Sequence, residues 1–154
     1  MTGATTMATR TATTQWTGGL QDGAGRVTLD SSGTGTFDVS FPRRIADEAE
    51  GSTSPEELLA AAHASCYAMA LSGGIANAGG TPQAASVRAD VTVRPDRDNG
   101  GLLISKIVLT VRAKVDGLTA EQFAEVAEET KKACPVSKAL ASVPEIELDA
   151  TLET

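Results

Sequence analysis

Residues 54 to 57, Ser-Pro-Glu-Glu, fix one structural element more firmly than anything else in the chain. A serine at the N-cap, a proline at the first helical position and a glutamate at N3 form a capping box, and both acidic side chains sit against the positive end of the helix dipole. A helix therefore opens here. It continues through LLAAAHASCYAMAL to about Gly73, where Gly73-Gly74 breaks the pattern. Its residues are apolar on nearly every face, the signature of a buried central helix. Ala60, Ala61, Ala62, Ala64 and Ala68 are small enough to let another helix approach closely. The longest apolar run, Leu58 to Leu71, is 14 residues and is interrupted by His63 and Ser65. That falls short of the roughly 18 to 20 residues needed to cross a bilayer, so no membrane is expected as a partner.

Strand-like segments surround this helix. Arg10 to Trp16, Arg26 to Asp30 and Thr36 to Phe41 alternate between glycine-rich turns and read as a three-stranded meander, ended by Pro42. Residues 43 to 53 are charged, contain Gly51 and read as a loop. After the helix, Ser86 to Pro95 and Leu102 to Val115 alternate on either side of a turn-rich stretch suited to a hairpin. Thr119-Ala-Glu-Gln122 is a second capping box, and the helix it opens runs to Cys134. Pro135 ends that helix and opens a short one from Val136 to Leu140; Glu145 to Asp149 then alternates as a last strand. The order β-β-β-α-β-β-α-α-β indicates an α+β fold with a largely antiparallel sheet. A disordered extension over residues 1–9 and a single domain over 10–154 follow from the same reading.

Charge removes one class of partner. The net charge of −7 and pI near 4.7 work against binding a phosphate backbone, which needs clustered Lys and Arg, so no nucleic acid is expected. The first fifteen residues are threonine-rich without an apolar stretch of the signal-peptide kind, which points to the cytoplasm. Two cysteines are too few for a disulfide scaffold, and two cysteines with one histidine are too few for a closed zinc site. Aromatic residues make up only 3% of the chain, thin for one core, which makes burial against a second chain plausible.

The chemistry then rests on Cys66, Cys134 and His63. Both cysteines are open to a plain reading as small buried hydrophobes, the commonest fate of cysteine. A thiol in mid-helix gains nothing from the helix dipole, so a thiolate at Cys66 needs a nearby cation, and the only basic pair before it is Arg43-Arg44. His63 lies three residues before Cys66 on one helix face, about 5–6 Å away at Cβ. That spacing fits either a packing histidine or a Cys-His hydrolase using Cys66 and His63.

The segment Thr53-Ser-Pro-Glu-Glu-Leu-Leu-Ala-Ala-Ala-His-Ala-Ser-Cys-Tyr-Ala-Met-Ala-Leu71, together with Cys134-Pro-Val-Ser-Lys-Ala-Leu140, resembles the OsmC/Ohr family of organic hydroperoxide reductases, in its OsmC branch. The resemblance extends from about Arg10 to the C-terminus. It implies an OsmC-like fold, an intertwined homodimer, and no bound metal or cofactor. It also implies a two-cysteine peroxidase that takes organic hydroperoxides and is reset by an external thiol or dithiol. Carried onto this chain, Cys66 is the peroxidatic thiolate and Cys134 the thiol that closes a disulfide with it. Arg44, following the Phe41-Pro-Arg frame, is the cation, and Glu56 orients it through a bidentate pair. A non-catalytic binding domain of the same fold is the remaining alternative.

Overall fold

The computed structural model describes residues 7–154. The extension read over 1–9 therefore lies outside the described residues for its first six positions; Met7, Ala8 and Thr9 are exposed and belong to no helix or strand. The chain divides into two compact units, Met1–Pro55 and Glu56–Thr154.

In the first unit, β1 (Thr13–Thr17), β2 (Ala24–Thr28) and β3 (Thr36–Val39) form the antiparallel meander legible in the sequence. Gly25 stands opposite Trp16, and a Cβ there would meet the indole at 2.8 Å, so glycine lets the ring lie across the strand. The stretch after β3 differs from the sequence pattern. The strand stops at Val39, and Ser40 caps a single-turn helix α1 (Phe41–Arg44) by accepting from the Arg43 N–H at 3.3 Å. Pro42 sits in that first turn, where an N–H has no intrahelical acceptor anyway, and so it opens a helix rather than a loop. A short strand β4 (Ser52–Thr53) then pairs in parallel with β3.

The second unit is built on a three-stranded sheet in the order β5 (Thr81–Pro95), β6 (Leu102–Asp116), β7 (Glu145–Glu153). β5 and β6 are an antiparallel hairpin and β7 runs parallel to β6, so both sheets of the protein are mixed, with most of the pairing antiparallel as the sequence indicates. Strand β5 begins five residues earlier than its alternation does, because a register shift between Pro82 and Ala84 lets the irregular stretch keep pairing with β6. A parallel partner needs a long crossover. Helices α3 (Ala120–Ala133) and α4 (Pro135–Ala139) supply it, which puts Cys134 at the junction between them.

The central helix α2 (Pro55–Asn77) passes through Gly73-Gly74 instead of ending there. Each glycine costs about 1 kcal/mol in a helix interior, whereas burying Leu71 and Ile75 on either side gains about 1.5–3 kcal/mol apiece. Gly74 is also where α3 comes close: a Cβ there would stand 3.1 Å from Val126 Cγ1 and 3.3 Å from Thr130 Oγ1. By length and mean hydropathy the full helix meets the minimum for crossing a bilayer, which the 14-residue apolar run does not. Its buried residues, however, are those of a core helix. His63, Tyr67, Leu71 and Ile75, spaced four apart, form one stripe. Tyr67, Leu71 and Ile75 pack with Ile107, Leu109, Val111 and Ala113 of β6 and with Phe123 and Val126 of α3. The other faces are not buried within the chain, and Met69 is 75% exposed. All-round apolarity in α2 comes from alanine, which is apolar without needing burial.

Candidate active site

Two elements of the second unit bring the cysteines together. Cys66 sits half-buried near the middle of α2, one residue before the core residue Tyr67. Cys134 is fully buried at the point where α3 ends and α4 begins, with its own N–H donating to the Thr130 carbonyl at 2.9 Å. Pro135 cannot donate, so the first free N–H groups of α4 are those of Val136 and Ser137. Tyr67 ties the helices together: its hydroxyl donates to the Ala127 carbonyl at 2.9 Å. The two sulfurs, 68 residues apart in sequence, lie 3.2 Å from each other as free thiols.

The surroundings treat these thiols differently. Burial raises the Cys134 thiol, but the Ser137 N–H, the Cys66 thiol, the Ser137 hydroxyl and the Val136 N–H outweigh it, and the net direction is down. Burial pushes the Cys66 thiol up, the Val136 N–H pulls the other way, and the neighbouring Cys134 adds to the rise. The dipole argument made from the sequence therefore holds within this unit: α2 gives Cys66 nothing, and the thiolate-favouring groups are gathered at Cys134.

His63 is completely buried, and burial lowers its pKa, so it is a neutral imidazole near pH 7. Its Nε2 lies 2.7 Å from the Ser137 hydroxyl, and its Nδ1 has no hydrogen-bond partner among the described residues. Neither ring nitrogen is hydrogen-bonded to Cys66, so the Cys-His hydrolase pairing is not assembled. Ser137 is the site residue that the sequence reading passed over. The signal was present in Cys-Pro-Val-Ser: a serine three residues after Cys134 shares its helix face.

The other two candidates are Glu56 and Arg44. Glu56 is buried in the first turn of α2. Ten residues separate it from Cys66 on one continuous helix, about 15 Å along the axis at roughly 1.5 Å per residue. Arg44 is the half-buried last residue of α1 in the first unit. Its neighbour Arg43 is engaged locally, in an ion pair with Glu50 at 2.8 Å. Among the described residues no three of His, Cys, Asp and Glu come close enough to hold a metal ion.

Known proteins share this architecture. The chain is 37% identical over 139 residues to Peroxiredoxin OsmC of Escherichia coli (strain K12), a match covering 90% of this chain and 93% of that protein. It is 29% identical over 126 residues to Organic hydroperoxide resistance protein OhrB of Bacillus subtilis (strain 168), covering 82% and 88%. The crystal structure of an organic hydroperoxide resistance protein from Elizabethkingia anophelis superimposes with a TM-score of 0.73 at 28% identity, covering 97% of this chain and all of that one. Residues 47–149 match the family described as OsmC-like protein, and the chain belongs to that family.

Proposed function

We propose that the protein is a two-cysteine, thiol-dependent peroxidase of the cytoplasm, formed by one OsmC-like domain over residues 10–154, that reduces organic hydroperoxides to alcohols. The observation that carries this reading is the pair of free thiols held 3.2 Å apart across two helices, about 1.2 Å beyond a disulfide bond length of roughly 2.0 Å. Kinship with proteins named peroxiredoxin and organic hydroperoxide resistance protein supports both the reaction and the substrate class.

In this reading the Cys66 thiolate attacks the distal oxygen of ROOH. The O–O bond breaks, RO⁻ leaves and is protonated to ROH, and Cys66 becomes a sulfenic acid. Cys134 then attacks that sulfur, the S–O bond breaks, and water leaves as the disulfide forms. An external thiol or dithiol reduces the disulfide and restores both thiols. Arg44 supplies the cation for the first step and Glu56 orients it. A Glu side chain cannot cover about 15 Å to its own chain's Cys66. We therefore read the working form as an intertwined homodimer in which Glu56 and the arginine it holds serve the Cys66 of the partner subunit. The apolar faces of α2 left uncovered within one chain support that pairing.

Intact-mass spectrometry after one equivalent of cumene hydroperoxide tests the reading. The parent protein loses two hydrogens, Cys134→Ser gains one oxygen, and Cys66→Ser is unchanged. Normal turnover with dithiol by Cys134→Ser, or peroxide consumption by Cys66→Ser at the parent rate, would refute it.

A further inference from the structure

The buried pair His63–Ser137 lies one helical turn from the cysteine pair on both helices at once. His63 is three residues before Cys66 on α2, and Ser137 is three residues after Cys134 on α4. Two rungs therefore join the helices, sulfur to sulfur at 3.2 Å and imidazole Nε2 to hydroxyl at 2.7 Å. The two ends of the second rung are held with different firmness. His63 belongs to the stripe that Tyr67, Leu71 and Ile75 sink into the core, so α2 presents its imidazole from a fixed position. Helix α4 is five residues long, too short to hold itself, and the extended Cys134 followed by Pro135 ends the hydrogen-bond ladder of α3 before it. Where α4 sits is thus set by what it touches.

We propose that the His63–Ser137 hydrogen bond is a latch that holds α4 against α2 and keeps the Cys134 sulfur within reach of Cys66, which makes both residues positioning residues for disulfide formation. The inference rests on the two-cysteine reading and deepens its second step. With the rungs three residues apart, about 4.5 Å at roughly 1.5 Å per residue, the latch is a pivot close to the sulfurs. Closing 3.2 Å to a bond length of roughly 2.0 Å takes a swing of about 15° about that pivot, within the angular tolerance of a hydrogen bond. Without the latch α4 is free to swing the other way. The reduced protein then has its sulfurs adjacent for only a fraction of the time, and the effective concentration of one thiol at the other falls by that fraction. A closed disulfide holds α4 covalently, so the latch acts on the balance between dithiol and disulfide. It adds no group to the chemistry: Cys134 still bonds to the Cys66 sulfur as the S–O bond breaks and water leaves.

Packing alone gives no reason for an imidazole at this position. His63 is completely buried and its Nδ1 finds no partner among the described residues, so burial costs this ring more than it would cost an aliphatic side chain. What the imidazole has and leucine lacks is the bond from Nε2 to Ser137. Ser137 is itself only 6% exposed, which shields that bond from competing water and strengthens it.

The test equilibrates the parent, Ser137→Ala, His63→Leu and His63→Gln with dithiothreitol buffers of stepped thiol-to-disulfide ratio, then alkylates the free thiols and counts them by intact-mass spectrometry. The exchange passes two electrons and two protons between the buffer and the cysteine pair, and no peroxide takes part. The latch requires the equilibrium constant for disulfide formation to fall about tenfold in both Ser137→Ala and His63→Leu, the most that one hydrogen bond is worth in net terms, which is a potential about 30 mV higher. A general loss of packing that leaves α4 in place weakens the dithiol and disulfide forms alike and does not move this constant. Glutamine places an amide where Nε2 stands and keeps a hydrogen bond to Ser137, so His63→Gln returns to within about threefold of the parent. A parent-like constant in His63→Leu, or in Ser137→Ala, which removes a single oxygen, overturns the latch. A fall in His63→Gln as large as in His63→Leu overturns it too, because the hydrogen bond is then not what holds α4. A parent that forms no Cys66–Cys134 disulfide in the most oxidising buffer overturns the two-cysteine reading and the latch with it, a failure distinguished by appearing in the parent itself.

Discussion

Replacing Tyr67 by Phe removes one oxygen from the centre of the second unit, and the structure fixes both the size and the pH dependence of the result. The side chain is fully buried, and its hydroxyl donates to the Ala127 carbonyl at 2.9 Å. Ala127 lies inside α3, so that carbonyl keeps the helix's own donor four residues on, and the substitution leaves no orphaned buried group. The loss is then that of a net hydrogen bond, about 1 kcal/mol, or a fall in Tm of about 2–4 °C for a chain of this length. Burial first, then the charges of Glu128 and Cys134, push the Tyr67 pKa well above the ordinary tyrosine range. In the folded protein the phenol stays neutral where the unfolded chain already ionises. This stabilising contribution is complete below about pH 10 and is lost as pH rises through the window between the unfolded and folded values, at about 1.4 kcal/mol per pH unit. The parent's advantage over Tyr67→Phe should therefore shrink above about pH 10 and vanish near pH 11. Urea unfolding of both proteins at pH 7 and at pH 11 measures the gap. Equal stability at pH 7, or a gap undiminished at pH 11, would sink the reasoning.

Two further predictions concern the cation and the pairing of chains. Arg44→Ala should slow alkylation of Cys66 by iodoacetamide, read at the Cys66 peptide, far more near pH 6.5 than near pH 9, since only the thiolate reacts and alkaline solution forms it unaided. Parent-like alkylation in Arg44→Ala alongside slow alkylation in Arg43→Ala would reassign the role to Arg43. Mixed dimers of an Arg44→Ala/Glu56→Ala chain with a Cys66→Ser chain should recover up to half the parent peroxidase activity, because a site shared between subunits leaves one complete set. Inactive mixed dimers would place each site within one chain.

The parts of the fold that the sequence makes legible are those fixed by local chemistry. The Ser54-Pro55 start of α2, the Thr119–Gln122 capping box of α3 and the alternation of β6 are each dictated within a few residues, and all appear in the structure. The exceptions are settled by distant partners. Gly73-Gly74 reads as a stop, yet Leu71 and Ile75 are buried in the core and carry α2 through it. Thr81 to Ala85 has no strand pattern, and pairing with β6 makes it one. Phe41-Pro42 reads as the end of a strand and Arg43-Arg44 as the start of a loop because the capping role of Ser40 shows only once Val39 is known to be the last strand residue. The site divides in the same way. Cys66 and Cys134 stand out by motif, whereas Ser137 in a short helix looks like a surface residue. Only the crossover from β6 to the parallel β7 brings it to His63, 74 residues earlier.

The electrostatics of the second unit constrain which thiol can act first. Two sulfurs at 3.2 Å in a buried setting cannot both carry charge, so whatever stabilises one thiolate works against the other. The N–H groups of Val136 and Ser137 and the Ser137 hydroxyl gather at Cys134, and with them the unit by itself favours charge on the cysteine that the peroxidase reading assigns to the second step. Cys66, which in that reading attacks the peroxide, is pushed the wrong way by burial and by its partner. A Cys66-first mechanism therefore needs a cation to reverse this order. Glu56, about 15 Å up the same helix, cannot bring an arginine to its own chain's sulfur while holding the guanidinium beside itself. In the proposed mechanism, the order of the two chemical steps and the sharing of the site between subunits would thus be a single requirement. In the proposed mechanism the same polar set that opposes the first step would assist the second: once the Cys66 sulfur carries oxygen it no longer competes for charge, and the groups around Cys134 are free to stabilise the attacking thiolate.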